Sequence, residues 1–380
     1  MAIFCQRCGT GLPVGARFCS NCGAVVPATT YIPGRPLVRP IVGRQIAGVC
    51  IGLAQAYGWD VALVRIFTVV GLLFSGGLVA VAYLACWIGI PQEPIALPWG
   101  YSVAMNGKCE SDGATLVFRD TGAGVPVVFL HPTPPDGEYW RPLIEELDRV
   151  RFIVPDLRGH GGSQLGTLPV GGFAMVPDAP VLNMARLAAD VLAVLDHLEV
   201  HAAVFVGCSI GGYVLLELWR QAPERVRALA FVCSKPQPDA PADHVRRAGL
   251  IAKARAGGSA AIFDGMAETL IGATARKRHP EMVTQIRVRM TLTPEALVAV
   301  QAGLATRPDS MPTVAGISVP VLAIAGSEDP GITAAEMESF YAVPGGCEFH
   351  LLPDAGHFAA YEQPQKVAGL LAAWLRQFEG

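Results

Sequence analysis

Charge is what this sequence has least of. Charged residues fill 16% of its 380 positions, against about 25% in an ordinary soluble domain. The deficit is uneven. Residues 1–100 hold eight charged side chains, six of them arginine, for a local charge of +4, whereas residues 101–380 hold 53 in 280 and a charge of −7. With a net charge of −3, the chain is not one that binds nucleic acid through general basicity. Glycine and proline, at 42 and 30, stay below the roughly 25–30% that marks low complexity. Ten cysteines in 380 residues are too sparse for a disulfide-stapled mini-protein. The length itself exceeds what one hydrophobic core usually organises, so more than one domain is expected.

Four of the cysteines are paired. Cys5-Gln6-Arg7-Cys8-Gly9 and Cys19-Ser20-Asn21-Cys22-Gly23 are two CxxC knuckles separated by ten residues. Each can set two thiolates on one tight turn, and the following glycine lets the backbone fold around a metal. Together Cys5, Cys8, Cys19 and Cys22 complete a closed tetrahedral shell, the signature of a structural Zn²⁺ in a zinc ribbon over residues 1–26. Two disulfides or a redox pair are the alternatives, but a thioredoxin-like motif needs a βαβ context that these residues lack. Some thirty residues cannot hold a core unaided, so metal binding there is folding energy. Only Arg7 and Arg17 lie inside the ribbon, which is weak support for nucleic-acid binding and leaves open a protein partner through the ribbon or the membrane domain. Of the other cysteines, Cys208 reads as packing, and Cys109, Cys233 and Cys347 as free thiols.

A proline-rich linker spans residues 27–40, kept extended by Pro33, Pro36 and Pro40. Ile46, Val49, Cys50, Leu53 and Tyr57 then recur at helical spacing. After Arg65 the chain is uncharged from Ile66 to Ile90. As a helix these 25 residues would reach about 37 Å, enough to cross a hydrocarbon core of about 30 Å. A buried core helix is the alternative, although such helices seldom run so long without charge. Arg44 to Ala54, Tyr57-Gly58-Trp59-Asp60, Leu63-Val64-Arg65, Gly76-Gly77 and Tyr83 to Pro91 together resemble the phage-shock-protein C (PspC) domain, over residues 41–94. That resemblance implies contact with membrane lipid and, more loosely, a stress-related role. Arg35, Arg39, Arg44 and Arg65 place the N-terminal side in the cytoplasm by the positive-inside rule. A thiolate zinc site agrees with a reducing compartment. A single crossing is the expectation; a break at Gly76-Gly77 would instead make a re-entrant hairpin, and the side on which residues 100–380 lie stays open.

Beyond residue 100, strands and helices alternate as in an α/β fold. Apolar runs at 125–130, 152–154, 203–206, 228–232 and 321–325 read as strands buried in a mostly parallel sheet. Between the third of these and a following helix lies Gly207-Cys208-Ser209-Ile210-Gly211-Gly212, a G-x-S-x-G nucleophile elbow in a strand, turn and helix setting. Its glycines allow a strained turn that lifts Ser209 Oγ above the sheet, at a helix N-terminus that favours negative charge. A bare motif of this kind is common, so its partners must follow in order: acid, then histidine. Asp329 lies in Gly326-Ser327-Glu328-Asp329-Pro330 and His357 in Asp354-Ala355-Gly356-His357-Phe358, both on loops after strands. His357 would take the proton of Ser209 and Asp329 would orient the imidazole; Glu328 and Asp354 are lesser candidates for the acid. Each of the three alone could equally be a cap, a turn residue or a core histidine.

At this point residues 108–380 resemble the α/β-hydrolase superfamily. Leu130-His131-Pro132, Asp156 to Ser163 and Pro223-Glu224-Arg225-Val226 also match that family's pattern, with His131 and Arg158 read as loop organisers. Pro132 stands where the family usually has glycine and has no N–H to offer, so the resemblance implies an oxyanion hole built from the amides of Thr133 and Ile210. Helical patterns at 243–255, 260–271, 281–290 and 295–304 read as a cap over about 235–318. Its layout is similar to 3-oxoadipate enol-lactonases and small esterases, and an arginine such as Arg255 or Arg278 could bind a carboxylate or line a solvated surface. The reading is therefore a membrane-anchored serine hydrolase acting on a small ester, lactone or thioester without a catalytic cofactor. One alternative is an envelope-stress sensor or scaffold whose hydrolase fold only binds a ligand or partner. Another keeps the triad but runs haloperoxidase-like or C–C bond chemistry.

Overall fold

Alternation of side chains along the strands divides the interior into two cores, one on each face of a single eight-stranded sheet. On one face lie Val127, Phe129, Val204, Val206, Leu322 and Ile324. On the other lie Val128, Leu130, Phe205, Phe231, Val321 and Ala323. This is the period of two expected of strands covered on both sides. The computed structural model describes residues 105–378, the helix Val61–Phe74, the pairs Ile3–Phe4 and Gly11–Leu12, and single positions at Cys50, Leu53, Tyr83 and Cys86.

The chain forms two compact units, Met1–Leu97 and Pro98–Gly380. In the first, strands β1 (Ile3–Phe4) and β2 (Gly11–Leu12) pair antiparallel, Ile3 with Leu12 and Phe4 with Gly11. Their connection carries Cys5 and Cys8; all four cysteine ligand candidates lie outside the described residues. Helix α1 (Val61–Phe74) has 14 residues, about 21 Å of rise. No helix among the described residues is long and apolar enough to cross a membrane. Most of the span expected at 66–90, with its Gly76-Gly77 break, lies outside the described residues.

In the second unit the strands are β3 (Met105–Ser111), β4 (Ala114–Gly122), β5 (Val125–Leu130), β6 (Val150–Pro155), β7 (Ala203–Cys208), β8 (Val226–Val232), β9 (Val321–Gly326) and β10 (Cys347–Leu352). Their order in the sheet is β10-β9-β8-β7-β5-β6-β4-β3. β5 to β10 run parallel, while β4 pairs antiparallel with β6 and β3 with β4. The first hairpin, β3 and β4, has none of the continuous apolar character of the others and was not legible as part of the sheet. The strand order reverses at β5, which has β6 on one side and β7 on the other. Open sheets place their ligand crevice at such a switch point. Helices α2 (Met184–His197) and α3 (Ile210–Gln221) flank the sheet. A helical excursion between β8 and β9 comprises α4 (Pro241–Arg255), α5 (Ser259–Leu270), α6 (Ala273–Arg278), α7 (Glu281–Arg287) and α8 (Pro294–Ala305). Three of these segments follow the helical patterns of the sequence to within two residues at either end; α7 stops short at Arg287.

The loop after β6 is held by a buried ion pair. Arg158 Nε and Nη2 donate to the two oxygens of Asp190 on α2 at 2.7 and 2.6 Å, and Nη2 also reaches the Ser111 carbonyl at 2.7 Å. Both charged side chains are almost wholly buried. Removing one partner strands the other charge, so Asp190→Ala is expected to destabilise the domain by about 3–5 kcal/mol, measured as a lowered midpoint in urea against the parent chain.

Candidate active site

Ser209 sits at the turn from β7 into α3 with φ 53 and ψ −115, a left-handed conformation that costs an L-residue strain and is held only by its surroundings. Those surroundings are mostly backbone. The Ser209 N–H donates to Val232 O at 3.1 Å, and its carbonyl accepts from Gly212 N at 2.9 Å and from Ser234 Oγ at 2.9 Å. Gly207 and Gly211 make the turn possible. A Cβ on Gly211 would stand 2.2 Å from Leu130 O at the end of β5, and one on Gly207 would stand 2.5 Å from the carbonyl carbon of Gly211.

His357 follows β10. Its Nδ1 donates to Asp329 Oδ2 at 2.8 Å, which leaves Nε2 as the nitrogen free to accept a proton. Asp329 Oδ1 accepts from the amides of Gly331 and Ile332 at 2.8 and 3.0 Å, so both carboxylate oxygens are engaged. Burial works against ionising Asp329, but the facing imidazole and the two amides outweigh it and hold its pKa below the usual value. Burial likewise opposes charge on His357, and the adjacent carboxylate reverses that, raising its pKa above 6.5. Ser209, His357 and Thr133 line one cavity of about 340 Å³. Among the described residues no hydrogen bond joins Ser209 Oγ to His357; such contacts are often loose until substrate is bound.

The two lesser acid candidates are engaged elsewhere. Glu328 accepts from Thr274 N at 2.8 Å and Thr274 Oγ1 at 2.6 Å, tying the Asp329 loop to α6. Asp354 is at an exposed turn 3.4 Å from Arg278. Arg278 is 65% exposed and Arg255, 42% exposed, pairs with Asp178, so these two arginines belong to the solvated cap surface. Cys208 points into the core, where Tyr139 Oη lies 3.3 Å from its Sγ and burial pushes its thiol far up, which makes it a packing residue.

Thr133 is placed by a pair of neutral histidines. His131 Nδ1 donates to Pro132 O at 2.8 Å and its Nε2 accepts from Leu157 N at 2.9 Å. His160 Nδ1 donates to Arg158 O at 3.1 Å, so its Nε2 must accept from Thr133 Oγ1 at 3.0 Å. Burial, reinforced by His131, drops the His160 pKa to about 3. These contacts hold the 131–133 loop without the glycine usual at position 132. Ile210 opens α3, so its N–H has no intrahelical partner.

Glu362 was not singled out in the sequence. Its buried carboxylate accepts from Gly356 N at 2.8 Å, Phe358 N at 3.1 Å and Gly272 N at 3.0 Å. The first two flank His357, and the third belongs to the cap. His357 N also donates to Leu270 O at 2.8 Å. The histidine loop and the cap are thus stitched together by one acid, five positions past His357 in a stretch that reads only as a helix start. Lys235, Arg247 and Arg307, which line the same cavity, were likewise not legible, because they come from three separate segments around the cap.

Comparison with known proteins identifies three domains along the chain. The profile of the Alpha/beta hydrolase family matches residues 127–370, that of the PspC domain residues 35–93 and that of the zinc-ribbon domain residues 4–26. A 3-oxoadipate enol-lactonase of Acinetobacter baylyi is 28% identical over 237 residues, covering 61% of this chain and 80% of its own length. A thermophilic esterase of Thermogutta terrifontis, solved with malate bound, is 32% identical with a TM-score of 0.66, over 73% of this chain and all of that one. A solved enzyme that degrades N-acyl homoserine lactones is 28% identical with a TM-score of 0.57, over 70% of this chain and all of that one.

Replacing Glu362 by Ala leaves three buried amides without an acceptor. A loss of at least about 2 kcal/mol is expected, read as a lower urea midpoint, together with a fall in hydrolytic rate as the His357 loop loosens.

Proposed function

The chain belongs to the alpha/beta hydrolase family and is an enzyme of the esterase and enol-lactonase type, and from that premise we propose that it is a membrane-anchored serine hydrolase cleaving small esters or lactones through Ser209, His357 and Asp329. The observation that carries this reading is the Asp329 to His357 hydrogen bond opening on the same cavity as a serine held in a left-handed elbow. Ser209 Oγ attacks the carbonyl while His357 Nε2 takes its proton. The imidazolium formed is stabilised by the ionised Asp329, and the amides of Thr133 and Ile210 receive the oxyanion. His357 returns the proton to the leaving oxygen, and water activated by the same imidazole releases the acyl group. The relatives' printed names, an enol-lactonase, an esterase and a lactone-degrading enzyme, support an acyl-oxygen bond as the one broken.

Attachment to a membrane is supported by the PspC match and by the apolar exposure of α1, where Leu63, Ile66, Phe67 and Val69 are each more than half exposed. Cys5, Cys8, Cys19 and Cys22 would hold one structural Zn²⁺. The β1 and β2 pairing brackets the first knuckle as a metal-closed turn requires. That ion would supply folding energy to the ribbon and no step of the reaction. Purified chain is expected to carry one zinc by elemental analysis, and Cys5→Ser with Cys8→Ser to abolish it.

Labelling by a fluorophosphonate is expected at Ser209, and Ser209→Ala is expected to lower kcat by about 10⁶ in a small-ester panel; an undiminished rate would refute the reading. The base must be neutral to act, so kcat/KM should rise with pH through an apparent pKa above the ordinary histidine value. Asp329→Asn removes the charge that raises it. That variant should lower kcat by about 10⁴ and move the limb to lower pH, as a pH-rate profile of both proteins would display.

A further inference from the structure

One wall of the Ser209 cavity carries a buried excess of positive charge. Asp239, whose side chain is 2% exposed, is the shared partner of two guanidinium groups. Arg247 on α4 donates to it through Nε and Nη2, and Arg307, which follows α8, donates through Nη2 at 2.8 Å. The two arginine side chains are 8% and 4% exposed. The other charges on that wall cancel in pairs. Lys235 Nζ lies 2.5 Å from Glu336, and Arg246 lies 2.8 Å from Asp243. Asp329, ionised, stands behind His357 and is not among the residues that line the cavity.

Two cations on one anion leave a surplus of one unit in a water-poor place, where an unbalanced charge is expensive. The surplus centres on Arg307. Its guanidinium lies 4.3 Å from the centroid of the Tyr213 ring, a partial compensation. Its Nη1 reaches Gln237 O, and its buried Nε has no hydrogen-bond partner among the described residues. Arg307, Arg247, Tyr213 and Ser209 all line the one cavity, which at about 340 Å³ is at the small end for ligand sites.

We infer that the Arg247, Arg307 and Asp239 cluster is an anion subsite, and that the substrate is a small ester or lactone bearing a second, ionised carboxylate that neutralises it. Guanidinium groups suit a planar carboxylate, and one bound there would share the cavity with Ser209. This rests on the serine hydrolase reading above.

The test compares monoethyl succinate with its neutral near-isostere ethyl 4-methylpentanoate on the full chain. At low salt the intact protein is expected to favour the anionic ester at least tenfold in kcat/KM, mainly through KM, with the preference shrinking as salt is raised. In Arg307→Gln, where Asp239 keeps Arg247 as a one-to-one partner, the ratio should fall toward one. If that variant does not fold, succinate is used instead to compete for fluorophosphonate labelling of Ser209 in the parent, and should protect at lower concentration than neutral 4-methylpentanamide. Equal or faster cleavage of the neutral ester overturns the subsite alone, as does turnover of neither ester by a protein whose Ser209 labels. Turnover of neither with Ser209 inert sinks the hydrolase reading and the subsite with it.

Discussion

The close approach of two backbones, Gly211 at the start of α3 and Leu130 at the end of β5, is the constraint on which the site depends. It exists because β5 and β7 are neighbours at the strand-order reversal, with Leu130 beside Gly207 in register. The helix following β7 must therefore start against the carbonyl that ends β5, with no space for a side chain between them. From that contact follow the left-handed Ser209 and the start of α3 at Ile210. A wider gap would move Ser209 away from Thr133, with which it shares the cavity.

Around this fixed point the polar groups divide by charge state. His131 and His160 are buried and kept neutral, each nitrogen committed by a carbonyl, an amide or the Thr133 hydroxyl, so they shape the loop. His357 has a carboxylate behind it and is biased toward the charged form. These three histidines differ because their neighbours differ: uncharged carbonyl, amide and hydroxyl groups for two, an ionised Asp329 for the third. Glu362 and Glu328 show the same logic among acids, since both spend their oxygens on hydrogen bonds that tie the His357 and Asp329 loops to the cap.

The scarcity of charge separates what belongs to the N-terminal module from what belongs to the enzyme. Its shortfall lies in residues 1–100, where the ribbon and PspC matches fall. The hydrolase unit has a nearly ordinary share and deploys part of it inside, as the Arg158 to Asp190 fork and the Arg247, Asp239 and Arg307 cluster. Buried charges of this kind leave no mark on composition.

Local pattern by itself marked the parallel strands, the glycine-flanked elbow at Ser209 and the two loops that carry the acid candidates and His357, because a fully buried strand, a glycine-flanked turn and a loop after a strand are each written in a few adjacent residues. The β3 and β4 hairpin escaped, being half exposed at the sheet edge and lacking a continuous apolar run. Which of Asp329, Glu328 and Asp354 faces His357 was decided only by tertiary structure, since three acids within thirty residues differ in direction and not in type. So were the Glu362 clamp and the charged wall of the cavity. Their residues come from segments up to ninety positions apart, and only the folded cap brings them close enough for charge and hydrogen bonding to act.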